Sequence, residues 1–167
     1  MSLAIVRAGA GDADLLQNLF QLYAHDFSEF WAGSARGELG PDGLFTDYPL
    51  APFFERPGWS AWLLKSGEAP AGFALINDEA HSGLPARRSM AEFFLVRKHR
   101  GQGAGRAAAQ ALIADEPGSW EIAVARANTG ALAFWRKVAA ACAAGPVEEL
   151  DIRSPDWNGP VLRFAAR

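Results

Sequence analysis

The chain has 167 residues, half of them apolar and 21% charged, with 16 Lys+Arg against 19 Asp+Glu. That length fits one domain, 1–167, with a real core, and the apolar share excludes a disordered chain. No run of about 18 apolar residues suits a membrane span, Met1 to Arg7 lacks the layout of a secretory signal, and a net charge of −3 argues against a general nucleic-acid binder.

The lone Cys142 excludes an internal disulfide and a cysteine-based zinc site. His25, His81 and His99 share no ligand spacing, so no metal is expected. Together these features predict a cytoplasmic protein with no membrane and no nucleic-acid partner.

Leu3 to Arg7 reads as a short first strand. Asp12 stands where an N-cap would accept from the free amides of a helix start. Leu15, Leu16, Leu19, Phe20, Leu22 and Tyr23 then follow at helical spacing, predicting a helix to about Asp26. From Phe27 to Gly58 the sequence mixes aromatics (Phe30, Trp31, Phe45, Tyr48, Phe53, Phe54) with many glycines and prolines. The breakers forbid a long regular element, and the aromatics forbid a solvated linker. A long ordered loop of this kind is often functional.

Ser60 to Lys65 and Ala71 to Asn77 flank a hairpin signal at Ser66-Gly67-Glu68-Ala69-Pro70. Ser89 to Val96 is dense in apolar residues, as a central strand covered on both faces would be. Gly103 to Asp115 is an Ala-rich helix stopped by Pro117-Gly118, and Trp120 to Arg126 is a further strand. Asn128 caps a helix from about Thr129 to Ala141, and Val147 to Arg153 and Pro160 to Ala165 close the chain as strands. This order predicts a mixed α/β sheet with helices on both faces.

The informative segment is Val96-Arg97-Lys98-His99-Arg100-Gly101-Gln102-Gly103-Ala104-Gly105-Arg106, between a buried strand and a helix. Its alternating glycines allow close backbone approach by a ligand. The free amides of a helix start, with the positive dipole end, bind phosphate oxygens. Arg100 and Arg106 flank the turn and can add charge-assisted bonds. A di- or polyphosphate ligand is expected. The GxxxxGK[ST] loop of nucleotide-triphosphate sites is missing. A dinucleotide site fits Gly103, Gly105 and Ala108 only loosely, because the polar run Arg97 to Arg100 intervenes and Glu121 opens its strand instead of ending it.

The spelling Arg100-x-x-Gly103-x-Gly105 after Leu95-Val96 resembles the pyrophosphate loop of the GNAT superfamily of acyl-CoA N-acyltransferases. Asn128-Thr129-Gly130-Ala131-Leu132-Ala133-Phe134-Trp135-Arg136-Lys137 resembles that family's N-x-x-A-x-x-F-[YW]-x-K pattern. The element order matches over almost the whole chain. Asp26-Phe27-Ser28-Glu29-Phe30 and Ala91-Glu92-Phe93-Phe94 further resemble a bacterial branch of predicted acetyltransferases.

The resemblance implies a GNAT-like, mostly antiparallel sheet and acetyl-CoA as co-substrate. The cofactor would lie where the strand ending at Val96 splays from the strand Trp120 to Arg126. Its pantetheine would pair with the backbone edge near Phe94, Leu95 and Val96. Its pyrophosphate would sit on Arg100, Gly101, Gln102, Gly103, Ala104, Gly105 and Arg106, with Asn128 and Trp135 as further contacts. A small-molecule or peptide amine would attack the thioester directly. An amide near Val96 is the candidate oxyanion donor.

Glu92 is the candidate base, since its apolar neighbours would raise its pKa towards neutrality; the alternative is a partly buried structural carboxylate. Asp26, Glu29, Phe30 and Trp31 are expected to line the acceptor pocket, where carboxylates and rings suit a cationic amine. Asn128 reads as a helix cap and as a cofactor contact. Arg97, Lys98 and Arg100 are either a contact for the 3′-phosphate or a solvated basic loop.

Trp135 stands where many family members carry Tyr. Indole N–H donates a hydrogen bond but gives up no proton usefully, and a thiol of pKa about 8.5 leaves tolerably without help. Trp135 also keeps open a second reading, a non-catalytic acyl-CoA-binding or sensing module. The oligomeric state is left open, a homodimer included.

Overall fold

The structure, a computed structural model, describes residues 2–167. Strand β1 (Ala4–Arg7) leads through a 3-10 turn at Ala10–Asp12 into helix α1 (Ala13–Ser28). Asp12 does not cap α1. It sits at φ −95° and ψ 3°, away from the extended conformation a cap needs, and its carboxylate turns back to accept from Gly9 N–H at 2.9 Å. Helix α1 runs slightly past its expected end and tightens into a 3-10 turn at Glu29–Trp31. The loop beyond is irregular except for the short α2 (Ala51–Glu55). There Pro52 sits in the first turn, where a missing N–H costs nothing.

Strands β2 (Ser60–Ser66), β3 (Ala69–Asn77), β4 (Arg88–Leu95), β5 (Gly118–Ala123), β6 (Glu148–Arg153) and β7 (Asn158–Ala166) join β1 in one seven-stranded sheet. Its order is β1-β2-β3-β4-β5-β7-β6, and every neighbouring pair is antiparallel except β4–β5. Helix α3 (Ala104–Ala114) joins β4 to β5, and α4 (Thr129–Cys142) joins β5 to β6.

Alternation along the strands sorts the core into two layers. Leu16, Leu19 and Phe53 from α1 and α2 pack on Phe73, Leu75 and Phe94. Ala109, Leu112, Ile113 and Val138 from α3 and α4 pack on Ala74, Ile76, Met90, Trp120 and Ile122. Helices therefore cover both faces of a mixed, mostly antiparallel sheet, as the sequence predicts.

One irregularity positions everything that follows. Leu75 pairs with Glu92, but Ile76 pairs with Met90, so Ala91 is an extra residue in β4. A bulge of this kind bends the strand and resets its alternation. Met90 faces α3 and α4. Strict alternation from Met90 would send Glu92 the same way. The bulge sends Phe94 to the α1 face instead, and Glu92 with it to a tyrosine of α1.

The β3–β4 loop crosses the open face of β5 and β7. Glu121, 1% exposed, accepts from Ser82 N–H at 3.0 Å and from Arg163 Nη1 at 2.5 Å. Arg163 Nη2 also donates to Pro85 O at 2.6 Å. The acid that a dinucleotide site would need is thus a structural anchor. Removing its partner leaves a buried carboxylate without its cation, which costs about 3–5 kcal/mol. Arg163→Met is expected to lower the urea midpoint by a destabilisation of that order, and an unchanged midpoint would contradict this anchoring role.

Candidate active site

Strands β4 and β5 pair only at Arg88–Trp120 and Ser89–Glu121. Beyond the Ala91 bulge they diverge and leave a cleft of about 1040 Å³. Its walls come from β4, the turn before α3, the first turns of α4 and the end of α1.

The ladder phase shows which backbone groups face this cleft. Val96 N–H donates to Ala71 O at 2.8 Å. Bonded pairs alternate along an antiparallel ladder, so Glu92, Phe94 and Val96 direct their amides to β3. Phe94 O lies so close to Gly72 that a Cβ there would meet it at 2.0 Å. Phe93 and Leu95 point their backbone groups the other way, towards the space β5 has vacated. Leu95 O accepts from Arg100 Nε at 2.6 Å. The Phe93 N–H and C=O and the Leu95 N–H are the edge on offer. The expected donor at Val96 is already engaged by Ala71.

The glycine turn is built for close approach. Gly101 and Gly103 have φ of +77° and +81°, values that L side chains rarely adopt, and a Cβ at either would meet nothing within 4 Å. Their glycine requirement is therefore one of backbone conformation, with open space outside. Gly105 is different: a Cβ there would press on Leu95 Cδ2 at 3.2 Å. Ala107 N–H is bonded back to Gly103 O at 3.0 Å, so the amides of Ala104, Gly105 and Arg106 form the unpaired start of α3. Arg106, in the first turn of α3, and Lys137, on α4, line the same cleft. Backbone amides at a dipole's positive end with two cations in the same cleft fit a diphosphate.

Glu92 does not line the cleft; Tyr23 does. The Tyr23 hydroxyl donates to Glu92 Oε2. Burial pushes the Glu92 carboxyl up to about 7, while the hydroxyls of Tyr23 and Tyr48 and the charge of Arg36 favour its ionised form. Burial, then the charge of Glu92, hold both phenols above their ordinary value.

Tyr48 comes from the irregular loop, and two glutamines of α1 hold it there. Gln17 donates to Tyr48 O at 2.7 Å and accepts from Tyr48 N–H at 3.0 Å. Gln21 does the same for Phe45, at 2.9 Å both ways. Each side-chain amide thus replaces a strand neighbour for one loop residue. Sequence reasoning missed both glutamines; their signal was a polar pair spaced i, i+4 beside the apolar stripe.

Of the predicted acceptor residues, Asp26, Glu29 and Phe30 line the cleft and Trp31 does not. The charge of Asp26 is committed elsewhere. It accepts from Arg97 Nη2 at 2.7 Å and from Arg100 Nη2. Burial would raise its carboxyl, but Arg100 and Arg97 outweigh burial and hold it below its ordinary value. Asp26 therefore ties the end of β4 to α1, and with two guanidiniums on it the cluster is net positive.

Arg100 lies over the Phe94 ring at 5.5 Å, and both Arg100 and Arg97 border the cleft. Asn128 caps α4 through Ala131 N–H at 3.1 Å, and it lines the cleft as well. Trp135 is 7% exposed and edge-on to Phe93 at 5.4 Å, so it both packs the core and closes the cleft wall. Phe94, Leu95, Gly101, Gly103, Gly105 and Arg106 lie on the wall, while Val96, Gln102 and Ala104 do not.

A raised carboxyl has a signature in stability. Between its ordinary value of 4.5 and about 7, folded Glu92 keeps a proton that the unfolded chain releases. Its contribution is then fully present below 4.5 and is lost as pH rises through about 7. Glu92→Gln lacks this loss. Its stability relative to wild type is expected to improve by about 2–3 kcal/mol from pH 5 to pH 8 in parallel urea titrations. A constant difference would mean that Glu92 titrates as an ordinary carboxylate.

The Acetyltransferase (GNAT) family model matches residues 16–140. No curated protein matches the chain. Among solved structures, an acetyltransferase from Thermus thermophilus is 18% identical, with a TM-score of 0.64 over 100% of this chain and 97% of that one. The GNAT domain of S. lividans PAT is 13% identical, with a TM-score of 0.65 over 98% and 90%. The ribosomal-protein-S18-alanine N-acetyltransferase of Escherichia coli is 14% identical, with a TM-score of 0.56 over 98% and 92%. At such identities the structural likeness is one of fold. The family match spans most of the sequence and includes both the glycine turn and the Asn128–Lys137 pattern: the chain belongs to the GNAT acetyltransferase family.

Proposed function

We propose that this chain transfers an acetyl group from acetyl-CoA directly to an amine. The observation that carries the reading is a single cleft that has the glycine turn on one wall and, on another, Tyr23 hydrogen-bonded to Glu92 behind it. Acetyl-CoA supplies the thioester. The amides of Ala104, Gly105 and Arg106, with Arg106 and Lys137, hold its diphosphate. The exposed edge of Phe93 and Leu95 aligns its amide-bearing arm like an added strand.

The chemistry needs a proton taken from the amine as its bond to carbon forms and the carbon–sulfur bond breaks. Glu92 is the base, poised near neutral pH, where a base serves best. It acts through Tyr23, which touches both the carboxylate and the cleft. As the amine proton passes to the Tyr23 oxygen, the phenolic proton passes to Glu92. Tyr48 positions the carboxylate from its other side. Trp135 contributes packing and one N–H, and the thiolate leaves without a dedicated acid.

Thiol release from acetyl-CoA over a panel of primary amines tests this reading. For wild type, kcat/KM should rise through pH about 7 as Glu92 ionises. Glu92→Gln should lower it by about 10²–10⁴ and remove that limb. Tyr23→Phe removes both the relay oxygen and a donor that favours the ionised carboxylate, so kcat/KM should fall and the limb of the residual activity should move to higher pH. An unchanged limb in Glu92→Gln would take Glu92 out of the mechanism. Binding of acetyl-CoA with no thiol release to any amine would favour the non-catalytic acyl-CoA-binding reading.

A further inference from the structure

We infer that the acceptor amine also carries a carboxylate, and that Arg36 binds it beyond the Phe27 and Phe30 wall of the cleft. The inference rests on the transferase reading and adds a substrate class to it. Although Glu92 is partly exposed, it is off the cleft wall. Tyr23, which lines the cleft and donates to Glu92, is therefore the group an acceptor meets.

Three observations single out Arg36. Its guanidinium has no carboxylate partner among the described residues, whereas Arg97 and Arg100 share Asp26. It is held in place, lying 4.5 Å over the Trp31 ring. Gly37, at φ +81°, closes the turn so tightly that a Cβ would meet Trp31 Cε3 at 2.4 Å. The Trp31 platform is thus seated by a turn that only glycine makes. A guanidinium stacked on an indole keeps its edge N–H groups free, and that edge matches a carboxylate bidentately.

The same platform points to the reacting groups. Trp31 packs on Phe27 at 5.7 Å between ring centres, and Phe27 on Tyr23 at 4.7 Å. The charge of Arg36 is felt at both Glu92 and Tyr23. An acceptor laid along this row would put its amine at Tyr23, its acid at Arg36 and an apolar body on Phe27 and Phe30. One free guanidinium balances one carboxylate, whereas Arg97 and Arg100 are both bonded to Asp26. On this reading Phe27 and Phe30 supply the apolar lining and Arg36 the charge that faces the acceptor's acid.

The test uses acceptors in which a chain or ring separates the two groups: 5-aminopentanoate beside pentylamine, 8-aminooctanoate beside octylamine, and 4-(aminomethyl)benzoate beside benzylamine. Thiol release should favour at least one acid over its neutral partner by about tenfold to a hundredfold in kcat/KM. Arg36→Gln should abolish that preference with the KM for acetyl-CoA unchanged, and Arg36→Lys should keep part of it. Equal turnover of acid and neutral partners, or a preference that survives Arg36→Gln, overturns the inference. If no amine is acetylated, the transferase reading fails, and calorimetric titration of the same acids into the CoA-loaded protein decides the Arg36 site by itself. Tighter binding to wild type than to Arg36→Gln supports it, and equal or absent binding overturns it.

Discussion

The one extra residue at Ala91 is the constraint on which the site depends. It turns β4 away from β5 after two paired residues, which opens the cleft and leaves the backbone of Phe93 and Leu95 unpaired on that side. It also resets the side-chain phase, so Glu92 meets the tyrosines of the α1 face and Phe93 packs against Phe134 and Trp135. A regular strand would have zipped further along β5 and buried the carboxylate among the apolar side chains of α3 and α4. Backbone edge, cavity and carboxylate position share this single cause.

Electrostatics then divides the cleft into working regions. At the glycine turn, unpaired amides lie beside Arg106, and Lys137 lines the cleft from α4. In the middle, Arg97 and Arg100 share the one carboxylate of Asp26, which leaves a net positive charge and fastens the end of β4 to α1. On the α1 side, Glu92 keeps a raised pKa because burial outweighs two phenol donors and one distant cation. Gln17 and Gln21 make this possible by gripping the loop backbone at Tyr48 and Phe45. A loop rich in glycine and proline is thereby as fixed near the site as a strand would be.

The sheet, its helices and the phosphate-type turn were legible because each has a local signal. Ser89–Val96 is densely apolar, Gly101, Gly103 and Gly105 alternate before an Ala-rich run, and Asn128 sits where α4 needs a cap. Glu92 was legible from its apolar strand, and its raised carboxyl follows from burial as expected. The partners of Glu92 were not legible. Tyr23 and Tyr48 lie 69 and 44 positions away, and nothing local in a strand reveals a one-residue bulge. Asp26 looked like a free acid because its two arginines lie some 70 positions further on. Asp12 looked like a cap because a 3-10 turn and an N-cap are spelled alike.

The central claim is that the divergence of β4 from β5 makes a cradle for coenzyme A out of backbone. Amide chemical-shift mapping during titration with CoA tests it most directly. Perturbed amides are predicted at Phe93, Leu95 and Gly101 to Arg106, with Phe94 and Val96, whose amides are turned to β3, much less affected. Shifts confined to other strands, or equal along β4 regardless of ladder phase, would contradict it.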